Sequence, residues 1–268
     1  MADAPLCLSI RDLAIGYLDQ PVVQNFSAEI RAGTVTTLIG GNGAGKSTLL
    51  KSLFGLTRLF AGEILFYGEP VQALPPAERM RRGISLVPQG RCNFPLMTVK
   101  ENLEMGAYLL PASAARAAAE RVMDLFPVLR RKQREAAGNL SGGEQQILEM
   151  AMALEVEPRL LLLDEPSLGL SPKMQYEVFE TIEAVRRTGV TVILAEQNVL
   201  GSLMISDWAI VLDLGRKFME GPAKQVMSDR RIREAYLGGE PQGDEAAAEP
   251  PPSALPPTEE WQSGAREG

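Results

Sequence analysis

Short apolar runs alternate along this chain with longer stretches in which apolar residues return every three or four positions. Segments 6–14 and 24–30 read as strands, with Gly16-Tyr17 and Asp19-Gln20-Pro21 between them as turn signals. Residues 35–39 form a β-branched run, and a helix is expected to follow from Lys46 to about Phe54. Short strands are expected at 63–66 and 84–87. Thr98-x-x-Glu101 has the form of a capping box opening a helix, and from there to about Ala153 the chain is rich in alanine, arginine and glutamate with no strand pattern. Strands at 160–163, 190–195 and 208–212 then alternate with a helix at 174–187, closed by Gly189, and with a short helix after 195. Strand–helix–strand units interrupted by an all-helical insert at about 91–153 predict an α/β fold around a parallel sheet.

Composition narrows the class without changing that picture. At 268 residues, 45% hydrophobic and 23% charged, the chain resembles an ordinary globular protein with enough apolar content for a sizeable core. The strongest apolar runs, 160–163 and 190–195, fall far short of the ~18–20 residues a membrane-spanning helix needs. Met1-Ala-Asp-Ala-Pro5 has no basic region leading into an apolar one, so no secretory leader is expected and a cytoplasmic location is. Two cysteines, Cys7 and Cys92, have no ligand-like spacing, and the absence of histidine argues against a zinc site and leaves acid–base chemistry to carboxylates.

The charge is uneven. Of the net −7, the segment from Pro241 onward carries six acidic residues and one arginine, leaving a body near neutrality, which argues against nucleic acid as a partner. That segment, 241–268, has six prolines and a single aromatic, Trp261, and is expected to be a disordered tail after a body at 1–240. Trp261 is the candidate anchor if the tail binds a partner.

Three motifs carry candidate chemistry. Gly40-Gly41-Asn42-Gly43-Ala44-Gly45-Lys46-Ser47, followed by Thr48, fits the phosphate-binding pattern G-x-x-x-x-G-K-[ST] between a strand and a helix. Its glycines let backbone N–H groups surround phosphates, Lys46 supplies a point charge, and Ser47 supplies a hydroxyl for Mg²⁺. Leu160–Leu163 leads into Asp164 and Glu165, placed 118 residues after Lys46: the aspartate suits a Mg²⁺ shell and the glutamate can take a proton from an attacking water. Leu140-Ser141-Gly142-Gly143-Glu144-Gln145-Gln146 reads as a second capped helix start whose glycines permit close approach of an anion.

In this order the phosphate loop, the LSGGEQQ segment and the LLLLDEPS segment resemble the ATP-binding cassette (ABC) ATPases over about residues 6–238. The resemblance implies a phosphate-loop NTPase with a RecA-like parallel-sheet core, an N-terminal antiparallel β-subdomain and an inserted α-helical subdomain. It implies two cassettes packed head to tail, Ser141, Gly142 and Gly143 of one closing over ATP held by the other. Tyr17 matches the aromatic that stacks on adenine. Gln89 matches the glutamine that senses Mg²⁺ and water. Segment 167–171 matches the loop that crosses the dimer.

Gln197 occupies a position that is histidine in most such ATPases, and Ser171 one that is usually aspartate. Glutamine can orient water but cannot carry positive charge. Together with Glu196-Gln197-Asn198, the stretches Pro166–Pro172, Pro88–Arg91 and Tyr236–Gly239 resemble the LivF-type ATPases of branched-chain amino-acid importers, a group that includes urea and short-amide importers. Gln89, where many amino-acid members carry glutamate, leaves urea or amide as the alternative solute, and a nucleotide-gated scaffold without transport as a further one. An exporter stays open as well, although Glu196-Gln197-Asn198 leans toward import. The resemblance implies ATP and Mg²⁺ as ligands and a second, non-identical cassette as partner. Two transmembrane permease subunits and, indirectly, a periplasmic binding protein complete the assembly it implies, at the cytoplasmic face of the inner membrane. The segment 91–96, which presents apolar residues directly after Gln89, is the expected docking groove for the permease.

Overall fold

A computed structural model describes residues 4–237; the acidic, proline-rich segment 241–268 with Trp261 lies outside them. The strands are β1 (Leu6–Tyr17), β2 (Gln20–Arg31), β3 (Val35–Ile39), β4 (Arg58–Phe66), β5 (Glu69–Pro70), β6 (Ile84–Val87), β7 (Leu160–Asp164), β8 (Thr191–Ala195), β9 (Trp208–Asp213) and β10 (Arg216–Pro222). The helices are α1 (Lys46–Phe54), α2 (Pro76–Arg81), α3 (Val99–Gly106), α4 (Ala112–Leu125), α5 (Pro127–Arg131), α6 (Gly142–Leu154), α7 (Pro172–Arg187), α8 (Val199–Ile205), α9 (Ala223–Ser228) and α10 (Arg230–Tyr236).

Two sheets result. One is antiparallel, in the order β2-β1-β4-β5, and the other runs β10-β9-β3-β8-β7-β6, parallel except for the β9–β10 hairpin. β3, β7 and β8 are buried at every position because helices or the second sheet cover both faces. Alternation divides their side chains between two cores. Leu160 and Leu162 join the core shared with α1 and the antiparallel sheet, while Leu161 and Leu163 join the core under α6 and α7. Leu49, Leu50 and Leu53 place α1 between the two sheets.

The antiparallel hairpin departs from expectation. β1 runs straight through Gly16 and Tyr17, and the turn is the two residues Leu18-Asp19, with Tyr17 paired to Gln20. A methyl on Gly16 would lie 2.3 Å from the Gln20 carbonyl oxygen, so glycine here permits the tight crossing of β1 and β2 rather than a turn of its own. β4 begins at Arg58, ahead of the strand expected at 63–66, and β10 is not among the expected strands; both carry charged, exposed positions and glycine. Pairing with a buried neighbour supplies what their own sequence lacks.

α2 was also absent from the sequence pattern. Its buried Arg79 donates to the Ser52 and Leu53 carbonyls at 2.6 and 2.8 Å, closing the last turn of α1, and to those of Leu74 and Gln72. Burial pulls its guanidinium pKa down to about 10.

Between β6 and β7 the chain carries α3 to α6, the first and last opened by capping boxes at Thr98–Glu101 and Ser141–Glu144. Glu155, which closes α6, has no exposure and neither carboxylate oxygen has a partner. Burial raises its pKa from 4.5 to about 8, against a weaker pull from Arg121. The folded chain therefore holds a proton there that the unfolded chain has lost. Its stabilising effect is complete below about 4.5 and is lost as pH rises toward about 8, at up to about 1.4 kcal/mol per pH unit. Thermal unfolding measured across that range should fall more steeply in the wild type than in Glu155→Gln; equal slopes would refute the assignment.

Candidate functional site

The C-terminal ends of β3, β7 and β8 lie side by side, and each releases its chain into a loop at the same edge of the sheet. Ligands of parallel α/β sheets bind at that edge. The loop after β3, Gly40–Gly45, wraps into the start of α1. Gly45 adopts φ 100°, and a methyl there would meet the Val23 side chain at 2.6 Å, so a larger residue would be both strained and obstructed.

Asn42, Gly43, Ala44, Gly45, Lys46, Ser47 and Thr48 line a cavity of about 380 Å³ together with Val22, Gln89, Glu165 and Gln197. Lys46 Nζ donates to the Gly40 and Gly41 carbonyls at 2.8 and 3.2 Å, which holds the ammonium at the cavity wall. The Ser47 hydroxyl donates to Asp164 Oδ1 at 2.7 Å. Asp164 is buried, and its Oδ2 has no partner, leaving an oxygen to spare beside the serine. Hydroxyl and carboxylate oxygens of this kind fit Mg²⁺, a hard ion that binds few protein ligands and completes its shell with water and phosphate.

Glu165 stands at the centre of the polar groups. Gln89 donates to its Oε2 at 2.9 Å, and Gln197 donates to both carboxylate oxygens at 3.2 Å and to Asn42 Oδ1 at 3.1 Å. Its backbone is held at φ 52°, a left-handed conformation unfavourable for glutamate, which its N–H bond to the Ala195 carbonyl at 2.8 Å fixes.

Other residues singled out from the sequence lie apart. Tyr17, half-exposed at the end of β1, does not line the cavity, and nor do Ser141, Gly142 and Gly143 at the start of α6. A methyl on Gly143 would meet Met174 at 3.3 Å, so these glycines let α6 pack closely on the start of α7.

Two residues were given no role at the site by sequence reasoning. Val22 forms an apolar wall of the cavity. Glu196 is buried, and its carboxylate accepts from the N–H groups of Ser167 at 2.9 Å, Gln197 at 3.1 Å and Asn198 at 3.3 Å. It thereby ties the loop that follows Glu165 to the loop that carries Gln197. Burial pushes its carboxyl pKa up, opposed by those hydrogen bonds. The available signal was an acid directly after an all-apolar strand, the same pattern that marked Asp164.

A family model described as ABC transporter matches residues 23–168, more than half the chain. The chain belongs to the ABC transporter family. Among relatives, the high-affinity branched-chain amino acid transport ATP-binding protein BraG of Pseudomonas aeruginosa is 43% identical over 87% of this chain and all of its own length. The probable branched-chain amino acid transport ATP-binding protein LivF of Archaeoglobus fulgidus is 37% identical over 84% of this chain and 96% of its own. The ADP conformation of MJ1267, an ATP-binding cassette of an ABC transporter, superposes with a TM-score of 0.77 at 26% identity, covering 87% of this chain and 99% of that one. As an ABC ATPase the chain binds and hydrolyses ATP as the motor subunit of a transporter whose membrane-spanning part is a permease. No helix among the described residues is long and apolar enough to cross a membrane.

Proposed function

We propose that this cassette powers an importer of branched-chain amino acids, acting with a second, non-identical cassette and two permease subunits at the cytoplasmic face of the inner membrane, supplied by a periplasmic binding protein. The observation that carries the chemistry is Glu165 held between Gln89 and Gln197 above the phosphate loop. The identity with BraG over that protein's whole length supports the solute class.

In this mechanism Gly40–Gly45 and Thr48 surround the phosphates of ATP with backbone N–H groups, and Lys46 turns its ammonium toward the β- and γ-phosphates. Ser47, with Asp164 and Gln89 acting through water, would hold Mg²⁺, whose charge neutralises the phosphates when it is bound. Tyr17 supports the adenine ring. Glu165 accepts a proton from the water that attacks the γ-phosphorus in line, while the bond to the ADP oxygen breaks. The amide N–H of Gln197 keeps that carboxylate aimed, and Gln89 reports its state to the helical insert. Ser141, Gly142 and Gly143 of the partner cassette close the site from the other side, in keeping with their position outside this cavity.

Docking of the permease is assigned to a groove of about 330 Å³ between β6 and the helical insert, lined by Val87, Pro88, Cys92, Met105, Leu109 and Met152 among others. Of the segment 91–96 only Cys92 lines it; Phe94 and Leu96 are exposed. Proteoliposomes holding the chain with its permease and partner cassette should hydrolyse ATP faster when a leucine-loaded binding protein is added. Stimulation by urea or a short amide instead would transfer the assignment to that solute class, and no stimulation by any of them would refute import.

A further inference from the structure

The groove beside β6 is mostly apolar, yet it contains one buried carboxylate. Glu149, from the middle of α6, is among its lining residues and is 4% exposed. Its Oε1 is fully engaged, accepting from the N–H groups of Cys92 at 2.8 Å and Asn93 at 3.3 Å and from the Asn93 side-chain amide at 2.8 Å. Its Oε2 is buried with no partner. Among the described residues the only other groove-lining groups that can ionise are the Cys92 thiol and the Tyr108 phenol; the charge of Arg91 acts on Glu149, but Arg91 is not among the lining residues. A buried charge left with half its hydrogen-bonding capacity unused is unfavourable unless something completes it.

We propose that Glu149 Oε2 is the polar anchor for a lysine or arginine on the permease segment that seats in this groove. The inference rests on the docking assignment above and adds the chemistry of the residue that docks. The occupant it specifies is a short amphipathic segment with apolar side chains for the walls and one cation for the floor. Cytoplasmic loops of membrane proteins carry an excess of lysine and arginine, so a permease loop has the complementary charge. Tyr108 and Leu109 stand exposed at the rim, placed to cover the pair from water once the segment is seated. Burial, the largest influence on Glu149, raises its pKa against the bonds from Cys92 and Asn93 and a weaker pull from Arg91, and a cation at Oε2 would offset what remains of that penalty.

The position also explains what such a pair would do. Glu149 fixes the backbone of Cys92 and Asn93, three and four residues beyond Gln89, whose side chain bonds Glu165. A cation seated on Oε2 would thus be joined to the catalytic carboxylate through one carboxyl group and one short loop.

The decisive experiment is cryo-electron microscopy of the complete transporter, combined with the affinity of the purified cassette for the permease in detergent. A lysine or arginine of a permease segment is expected within hydrogen-bond distance of Glu149 Oε2. Glu149→Gln keeps an amide oxygen for Cys92 and Asn93 but loses the charge, and should weaken binding at least tenfold. Removing the permease cation in that background should weaken it little further, because the two groups act as a pair. A permease segment seated in the groove with only apolar atoms facing Glu149, or unchanged affinity in Glu149→Gln, would overturn the proposal while leaving the docking assignment standing. A groove left empty while the permease contacts the cassette elsewhere would overturn both.

Discussion

Glu165→Gln is expected to lower the steady-state ATPase rate of the assembled transporter by roughly a hundredfold to ten-thousandfold, the range over which a positioned general base contributes. The substitution keeps the shape of the side chain and one acceptor oxygen for the amides of Gln89 and Gln197, which now donate at 2.9 and 3.2 Å. It removes the group able to accept a proton from water. Nucleotide affinity should change little, because the proposed mechanism gives the holding of the phosphates to Gly40–Gly45, Lys46 and Ser47. Phosphate release and equilibrium nucleotide binding measured side by side separate the two effects. Full retained turnover would dismiss Glu165 as the base, and a loss of binding equal to the loss of rate would make it a ligand instead.

Glu196→Ala is expected to be the most damaging substitution outside the residues that face ATP. It would leave the N–H groups of Ser167, Gln197 and Asn198 without their acceptor, the first of them buried and the other two partly so. The buried Ser167 donor alone should cost about 1–3 kcal/mol, with a smaller addition from the two donors that water can reach. Activity should fall as well, since Glu196 helps to tie the loop that follows Glu165 to the loop that carries Gln197. Glu196→Gln, which keeps an acceptor oxygen, should lose distinctly less of both. Denaturant unfolding together with ATPase rates for the two variants tests this, and an alanine variant as stable and active as wild type would refute the anchoring role.

Much of the fold could be read from local pattern. The β-branched run before Gly40 and the leucine run before Asp164 are strands in the positions expected, because residues buried on both faces of a parallel sheet must be apolar throughout. The capping boxes at Thr98 and Ser141 open helices because their hydrogen bonds close within four residues. β10 and the first half of β4 were not legible. Their exposed, charged residues gain strand structure only from pairing with β9 and β1, partners that lie elsewhere in the sequence or across a turn.

The candidate site divides along the same line. The phosphate loop, Asp164 and Glu165 are set by sequence, since short-range backbone geometry and residue chemistry suffice to mark them. That Gln89, Gln197 and Glu165 form one hydrogen-bonded group is a fact of sheet order: β6, β7 and β8 are neighbours, while Gln89 and Glu165 stand 76 positions apart along the chain. Likewise only the packed structure shows Glu196 turning inward to tie two loops, or Glu149 leaving one oxygen unpaired in an apolar groove. Sequence determined which groups this protein carries for ATP chemistry. Tertiary structure decided which of them meet, because hydrogen bonding and burial depend on distances that only the assembled sheet and its helices fix.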